Sequence, residues 1–228
     1  MPKAIKRRTE KRGIATEEDL RETVVDIRQR LKERQRTLVY AVTVFIVLAI
    51  SIGGFAVYKK TSSNKALELE LEGYRLFHGD YQAMLIPPTE RYKQALEMFK
   101  KSYATRKRPD VLLYIANCQY ELGSYDEAIK TLKDLNNQFS DPKVISLSYY
   151  KMAMAYVKKG DMDNALASLK NILNIKDIPL QDLALLETGK ILELSGKTED
   201  AKNKYRELIN KFPKSAFLNE AKARLGEK

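Results

Sequence analysis

The hydrophobic positions of this chain fall into two patterns that meet near residue 58. Residues 37–58, TLVYAVTVFIVLAISIGGFAVY, form a continuous apolar run without a charged side chain. From residue 64 onward the apolar residues instead recur every three or four positions, which is the period of amphipathic helices. The pattern therefore predicts an all-α chain in which one apolar helix precedes a series of half-buried ones.

The apolar run is long enough to cross a membrane. At about 1.5 Å per residue a helix of this length spans roughly 33 Å, against about 30 Å for a bilayer's hydrocarbon core. Alternatives are a buried core helix and a cleaved signal peptide. A signal peptide has an apolar region of about 7–15 residues that leads to a small-residue cleavage site. This run ends in Tyr-Lys-Lys, so we interpret residues 37–58 as an uncleaved transmembrane helix.

Basic residues flank the apolar run unequally. Six Lys or Arg residues lie within 16 positions before it, and four lie within a similar distance after it. Because basic residues favour the cytoplasmic side, we expect the N-terminus in the cytoplasm and residues 59–228 across the membrane. We therefore predict a single-pass protein with its C-terminal domain across the membrane from its N-terminus.

The segment before the run has two predicted parts. Residues 1–15 are basic and lack an apolar period, so we expect a disordered tail that is attracted to anionic lipid. Residues 16–36 should form an amphipathic cytoplasmic helix with Thr16 as its N-cap. This helix carries a coiled-coil seam that could join two copies or lie on the membrane surface: Leu20, Val24, Ile27 and Leu31. The net charge of +11 is divided almost evenly by the run, so no nucleic-acid partner is expected.

The region after the run repeats itself. Three segments, 110–135, 147–173 and 183–209, each contain an apolar helix, a glycine, a short polar turn and a second apolar helix. Alanines at equivalent positions of the second helices, Ala128, Ala165 and Ala201, are 37 and 36 residues apart. A degenerate earlier copy places Ala95 33 residues before the first of them. Such a period is typical of a solenoid.

These copies resemble the tetratricopeptide repeat, a helix–turn–helix unit of about 34 residues. The resemblance covers residues 89–213 and implies an α-α solenoid of three to four repeats in a domain spanning 59–228. The copies depart from the family pattern by lacking Trp and by having extra residues between units. The predicted units are a degenerate repeat at 64–108, repeats at 109–142, 143–179 and 180–213, and a capping helix at 215–226. With the membrane helix, this architecture is similar to that of the ancillary subunit of the bacterial Sec translocon.

Small residues are needed where the helices of a repeat cross, and glycine is needed where the first helix ends. The predicted repeat-packing residues are Ala95, Gly123, Ala128, Gly160, Ala165, Gly189, Gly196 and Ala201. Residues 78–89, HGDYQAMLIPPT, form an insertion. We expect its apolar residues to pack on the domain, with contact to lipid as the alternative.

Little in the sequence indicates an enzyme. The chain has one histidine, His78, and one cysteine, Cys118, so a zinc site of ordinary composition has no ligand set. Neither a phosphate-binding loop nor a glycine-rich dinucleotide turn is present. No catalytic residue, metal or cofactor is therefore predicted. Cys118 lies among apolar residues, and we expect a buried, inert thiol.

The resemblance implies that the first helices of the repeats line a concave binding face. Tyrosine and methionine there suit a protein partner, because they offer large contact areas and methionine adapts its shape. The predicted partner-binding residues are Tyr114, Asn117, Tyr120, Tyr150, Met154, Val157, Leu186 and Lys190. The alternative for these residues is a place in the core between repeats.

The resemblance and the architecture together imply a membrane-anchored scaffold of the bacterial inner membrane, with its repeats in the periplasm. Its repeats would hold another envelope protein, in protein secretion or in the assembly of an envelope complex. The alternative is a permanent structural subunit of a larger inner-membrane complex, held by its transmembrane and juxtamembrane helices.

Overall fold

The computed structural model describes residues 16–80, 83–176 and 178–226, and within these ranges the chain consists of helices and turns without strands. The α-helices of the described chain are α1 Glu17–His78, α2 Pro88–Thr105, α3 Pro109–Glu121, α4 Tyr125–Gln138, α5 Pro142–Lys158, α6 Met162–Leu173, α7 Gln181–Leu194, α8 Thr198–Lys211 and α9 Leu218–Leu225. The predicted all-α fold is confirmed. The predicted disordered tail, 1–15, lies outside the described residues.

Helix α1 joins segments that the sequence pattern separates. The amphipathic segment, the apolar run and the first helix of the degenerate repeat all lie within Glu17–His78. Thr16 stands at the predicted N-cap position, where its carbonyl accepts from the Leu20 N–H at 3.1 Å. Its hydroxyl and its amide N–H both donate to the Asp19 carboxylate, at 2.5 and 3.1 Å. Asp19 thus supplies the reciprocal bond of a capping box.

The apolar part of α1 is not buried by any described part of the chain. An 18-residue window of α1 has a mean hydropathy of 2.4, and none of that window is buried. By length and composition this helix could cross a membrane. The described chain forms two compact units that divide after Lys59. The apolar run belongs to the first unit, and the repeats belong to the second.

The helices of the second unit form hairpins that end their first helices in the same way. At the end of α3, Gly123 has a φ of +77°, its N–H donates to the Tyr120 carbonyl, and the Ser124 N–H donates to the Gln119 carbonyl. The same pair of bonds closes α5 at Gly160 and α7 at Gly196. This arrangement is the Schellman motif, which needs a left-handed residue after the helix and therefore favours glycine.

Two of the hairpins are closed by a glycine against an aromatic ring. A Cβ atom added to Gly189 in α7 would overlap the ring of Tyr205 in α8. A Cβ atom added to Gly73 in α1 would lie 2.8 Å from the ring of Phe99 in α2. Gly73 was not among the predicted packing residues. At both places the glycine lets an aromatic ring pack directly on the helix backbone.

The hairpin of α3 and α4 packs with smaller residues at the equivalent positions. Ala116 in α3 takes the place of the glycine, and Leu132 in α4 takes the place of the aromatic residue. Both are almost fully buried. The four predicted helix-crossing alanines are also buried in the core: Ala95, Ala128, Ala165 and Ala201.

Aspartates start two of the helices. The Asp141 carboxylate accepts from the amide N–H groups of Lys143 and Val144 at 2.8 and 3.3 Å, at the start of α5. Pro142, at the end of the predicted repeat 109–142, is instead the first residue of this helix, where a missing N–H has no cost. Asp161 caps α6 by accepting from the Asn164 N–H at 3.1 Å.

The C-terminal helix and the insertion differ from expectation. Helix α9 begins at Leu218, three residues after the predicted start, because Ser215 turns away to donate to the Asp182 carboxylate at 2.6 Å.

In the insertion, Ala83 is buried as expected. Met84 and Leu85 are 72% and 91% exposed, so the expectation that they pack on the domain is wrong. They occupy a short helical turn, Ala83–Leu85, whose chain direction points both side chains outward.

Candidate partner-binding cavity

A cavity of about 170 Å³ opens between α3, α4 and α5. It is lined by Ala116, Asn117, Tyr120, Glu121, Ala128, Leu132, Tyr150, Lys151 and Met154. Four of the predicted partner-binding residues therefore line the same cavity: Asn117, Tyr120, Tyr150 and Met154. Ala128 and Leu132, each 1% exposed, form its floor.

Helical periodicity explains why these residues meet. In α3 the lining residues follow the steps one, three and one from Ala116 to Glu121, which keeps them on one helix face. In α5 Tyr150 and Met154 are four residues apart, and Ala128 and Leu132 have the same spacing in α4. Each helix thus presents one face to the cavity.

Polar side chains at the cavity have unused hydrogen-bonding capacity. The polar lining residues are Asn117, Tyr120, Glu121, Tyr150 and Lys151. Within the described part of the chain, none of their side chains hydrogen-bonds to another described residue, whereas the neighbouring Gln119 accepts from Thr131 at 2.8 Å. Glu121 is exposed and the other four are half-buried; polar groups without internal partners are available to a ligand or to water.

The tyrosines are held in place and kept protonated. The ring of Tyr120 packs edge-on against Tyr125, with 5.3 Å between ring centroids. Burial raises the pKa of Tyr120 and of Tyr150 above the ordinary value, so both phenols are hydrogen-bond donors at neutral pH.

Lys151 is the cation of the cavity. Burial lowers the pKa of its ammonium group, and the negative charge of Glu121 acts in the opposite direction. Within the described residues, no carboxylate lies within ion-pairing distance of Lys151. Lys151 is therefore a partly dehydrated cation whose charge is stabilised only at a distance.

Lys151 and Glu121 were not among the predicted binding residues. A signal for Lys151 does exist, because it is the only charged residue in 144–157, VISLSYYKMAMAYV. A single lysine within an otherwise uncharged stretch of a helix indicates a position where burial and charge meet. No comparable signal exists for Glu121, which follows an apolar stretch of α3 like many solvent-facing carboxylates.

The other predicted binding residues lie outside the cavity. Leu186 is 1% exposed and belongs to the core of α7, α8 and α9, so its prediction as a binding residue is wrong. Tyr114 packs in an aromatic cluster, with its ring centroid 4.4 Å from that of Tyr74. Val157 is half-buried, and Lys190 pairs with carboxylates of α7 and α9. The positions of Leu186 and Tyr114 follow from inter-helix packing, which helical periodicity alone does not specify.

Cys118 and His78, the only cysteine and histidine of the chain, are both packed against other described residues. Cys118 is fully buried, and burial raises the pKa of its thiol to about 12, so it remains an unreactive thiol. His78 stacks on Tyr74 with 6.3 Å between ring centroids. Among the described residues, no cluster of His, Cys, Asp and Glu side chains is suited to hold a metal ion.

Serial helix hairpins, with glycine-closed first helices and a lined cavity between neighbouring units, define an α-α solenoid. Models of the tetratricopeptide repeat match residues 89–155 and residues 147–175 and 183–215, together about half of the chain. The chain therefore belongs to the tetratricopeptide repeat family, as the sequence predicted. Repeats of this family act in protein–protein interaction, and this chain is an interaction protein of that kind.

Solved structures similar to this chain include two repeat proteins. The chain is similar to the crystal structure of the tetratricopeptide-like repeats of a putative kinesin light chain from Podosopora anserina, with a TM-score of 0.53, 15% identity, and coverage of 72% of this chain and 88% of that one. It is also similar to YrrB, a tetratricopeptide repeat protein with an unusual peptide-binding site, with a TM-score of 0.48, 18% identity, and coverage of 75% and 87%.

A sequence relative is the heat shock protein STI1 of Saccharomyces cerevisiae, which is 36% identical over 76 residues. The matched segment is 32% of this chain and 13% of STI1. The chain thus spans only a small part of that relative.

Proposed function

We propose that this chain is a single-span scaffold of the bacterial cell envelope that holds a segment of another protein in the cavity between α3, α4 and α5. Its N-terminus lies in the cytoplasm and its repeats lie in the periplasm. The observation that carries the binding proposal is the convergence of Asn117, Tyr120, Tyr150 and Met154 on one cavity.

The cavity suits a polypeptide with one bulky apolar side chain. Its volume of about 170 Å³ is comparable to that of an apolar cavity of about 150 Å³ that accepts benzene. A phenylalanine or leucine side chain of the partner would fill it and contact the floor at Leu132. This contact would remove apolar surface from water, which is the main favourable contribution to association.

The polar rim suits the partner's backbone. The Asn117 amide offers both a donor and an acceptor, which matches the N–H and C=O of a peptide group. The phenols of Tyr120 and Tyr150 can donate to carbonyl oxygens. An oxygen acceptor of the partner would also replace part of the hydration that Lys151 loses in the cavity.

The membrane part of the proposal rests on exposure and charge. The apolar window of α1 is unburied within the chain, and exposing so much contiguous apolar surface to water would be unfavourable. A bilayer would cover that surface, and the thickness of its hydrocarbon core matches the length of a helix formed by residues 37–58. The excess of basic residues before residue 37 favours an N-terminus in the cytoplasm.

Site-specific photocrosslinking tests the binding proposal. A photoreactive residue replaces Tyr120 or Tyr150 at the cavity, and the matched control replaces Lys133, an exposed residue of α4. We expect a discrete crosslinked protein at the cavity positions and not at Lys133. Equal crosslinking at all three positions would mean that the cavity does not select a partner. Subunits of the Sec translocon are the first candidates to examine, because they bind a protein of similar architecture.

Cysteine labelling tests the compartment. Cys118 is buried and does not need to be removed, so a cysteine can be introduced at Gln29 or at Lys133 of the intact chain. A membrane-impermeant maleimide added to cells with a permeabilised outer membrane should label the Lys133 position and leave the Gln29 position unlabelled. The reverse pattern would refute the proposed orientation.

A further inference from the structure

The N-terminal part of α1 carries an apolar stripe that no described part of the chain covers. We call Leu20, Val24, Ile27 and Leu31 the seam; their exposure runs from 51% to 62%. These residues follow coiled-coil spacing, with Val24 and Leu31 at a positions and Leu20 and Ile27 at d positions. The inference below rests on the proposed membrane anchoring, which places the seam in the cytoplasm.

Basic residues flank the seam on both sides. Next to the seam, Arg21 and Arg28 occupy e positions and Arg30 occupies a g position. The carboxylates Glu22 and Glu33 fall at f and c positions, away from the seam. The helix is therefore basic beside its apolar stripe and acidic behind it.

This charge pattern disfavours pairing with a second copy. In a parallel pair, Arg30 would face Gln35 of the other copy, and in an antiparallel pair Arg21 would face Arg28. Neither arrangement places a carboxylate opposite an arginine. Because charges at e and g positions set the choice of partner, the homodimer considered from the sequence lacks its electrostatic contribution.

Lipid is also a poor match for the seam. Helix α1 contains no glycine or proline between Glu17 and Ile52, the residues at which helices usually kink, and it runs without a break from the seam into the apolar run. Along a continuous helix, Arg21, Arg28 and Arg30 lie about 24, 14 and 11 Å from Thr37, where the run begins. These distances exceed a screening length of about 8 Å, so headgroups at the level of Thr37 would interact only weakly with the three arginines.

We propose that the seam binds a helix of another protein in which acidic residues flank an apolar stripe. Carboxylates on both edges of such a helix would face Arg21, Arg28 and Arg30, while its apolar side chains pack on Val24 and Ile27. The ion pairs that two of these arginines form within α1 do not prevent them from pairing with carboxylates of the partner helix. Arg30 contacts Asp26 at 2.9 Å and Arg21 contacts Glu17 at 3.9 Å, and both pairs are exposed pairs within the helix.

Peptide binding to the intact chain tests this proposal. The protein is placed in nanodiscs of phosphatidylcholine, and the probes are two helical peptides of about three heptads that repeat the seam residues. One peptide carries Glu at its e and g positions, and the other carries Lys there. We expect the Glu peptide to bind about tenfold more tightly at low salt, with the preference decreasing as salt rises.

Charge reversal provides the matched control. The triple variant R21E/R28E/R30E should prefer the Lys peptide, whereas E22R/E33R, which reverses charges behind the seam, should keep the preference for Glu. An equal affinity of the wild-type protein for both peptides would overturn the proposal. Changes in the cavity should leave this preference unaltered, so a failed seam is distinguishable from a failed cavity.

The two alternative occupants of the seam, a second copy of the chain and the membrane surface, are tested in the same nanodiscs. A Val24→Cys variant should remain one chain per disc without a disulfide between copies, and a polarity-sensitive dye at this position should report water in discs that contain phosphatidylserine. A stable crosslinked dimer would assign the seam to a second copy. A dye spectrum typical of lipid would assign it to the membrane surface.

Discussion

The hairpins at the two ends of the repeat region and the hairpin that lines the cavity solve one packing problem in two ways. At the ends, Gly73 and Gly189 admit the rings of Phe99 and Tyr205. In the hairpin of α3 and α4, Ala116 stands where the glycine would be and Leu132 stands where the ring would be. Both of these residues line the cavity. The comparison shows that the side chains at these two positions shape the floor of the cavity.

The largest expected effect is at Gly189. Gly189→Ala would force the buried ring of Tyr205 out of its position, and overpacking of this kind costs about 3 kcal/mol of unfolding free energy. Denaturant unfolding of the intact chain measures this cost. Adding Tyr205→Leu should recover a large part of the lost unfolding free energy, because alanine with leucine is the combination found in the hairpin of α3 and α4. Strictly additive effects of the two substitutions would contradict the packing account.

A smaller effect is expected at Gly73. The nearest ring atom of Phe99 is 2.8 Å from the added Cβ, which is farther than the overlap at Gly189, so a modest shift of the ring relieves Gly73→Ala. We expect a cost of about 1–2 kcal/mol in the same unfolding measurement. Ala116→Gly, in the hairpin without a ring, is the control and should cost about 1–2 kcal/mol through helix propensity and the loss of one buried methyl group. A larger cost at Gly73 than at Gly189 would reverse the predicted order.

Lys151 should oppose stability while it supports binding. Burial lowers its pKa in the folded chain, so the unfolded chain holds the proton more tightly and the charge destabilises the fold at neutral pH. Lys151→Met should raise the unfolding free energy by about 1 kcal/mol or less and weaken partner binding.

The pH dependence checks the sign of the Lys151 effect. The folded pKa lies below the ordinary value of 10.5, so the stability of the wild type should rise as pH increases towards that value. The difference between Lys151→Met and the wild type should therefore narrow over the same range. A difference that stays constant with pH would mean that Lys151 is fully hydrated.

The smallest effect concerns Asp161, the cap of α6. Hydrogen bonds from the side chain and backbone of Asn164 lower its pKa below the ordinary value of 3.8. The stabilisation is therefore present above this value and is lost as pH falls through the folded pKa. Asp161→Asn keeps a capping side chain, so it should unfold like the wild type at neutral pH and show a slightly weaker loss of stability in acid. Identical acid unfolding of the two proteins would assign no role to this carboxylate.

The sequence predicts the repeat and much of the cavity for a physical reason. Residues on one face of a helix are set by its period, so Asn117 and Tyr120 could be placed together, as could Tyr150 and Met154. The glycines that end first helices are likewise local features, because a left-handed turn depends on its own residue.

Features that depend on contacts between different helices are not predicted by the sequence. Leu186 has the same helical spacing as the cavity residues, but α8 and α9 cover it. The packing role of Gly73 is not predicted by the sequence, because its partner, Phe99, lies on a different helix beyond an irregular insertion. Lys151 is harder to predict because charged residues normally face solvent; its place in an uncharged stretch hints at burial, and the packing of α3, α4 and α5 around it establishes that burial.

The most direct test of the central claim transfers the end-hairpin packing to the cavity. The double variant A116G/L132F places a ring where Leu132 forms the floor, so it should fill the cavity while the hairpin stays folded. With a photocrosslinker at Tyr150, this variant should retain the helical content and unfolding midpoint of the parent to within a few degrees and lose most of the crosslinked partner. Undiminished crosslinking in a folded A116G/L132F protein would contradict the claim that the cavity receives a partner's side chain.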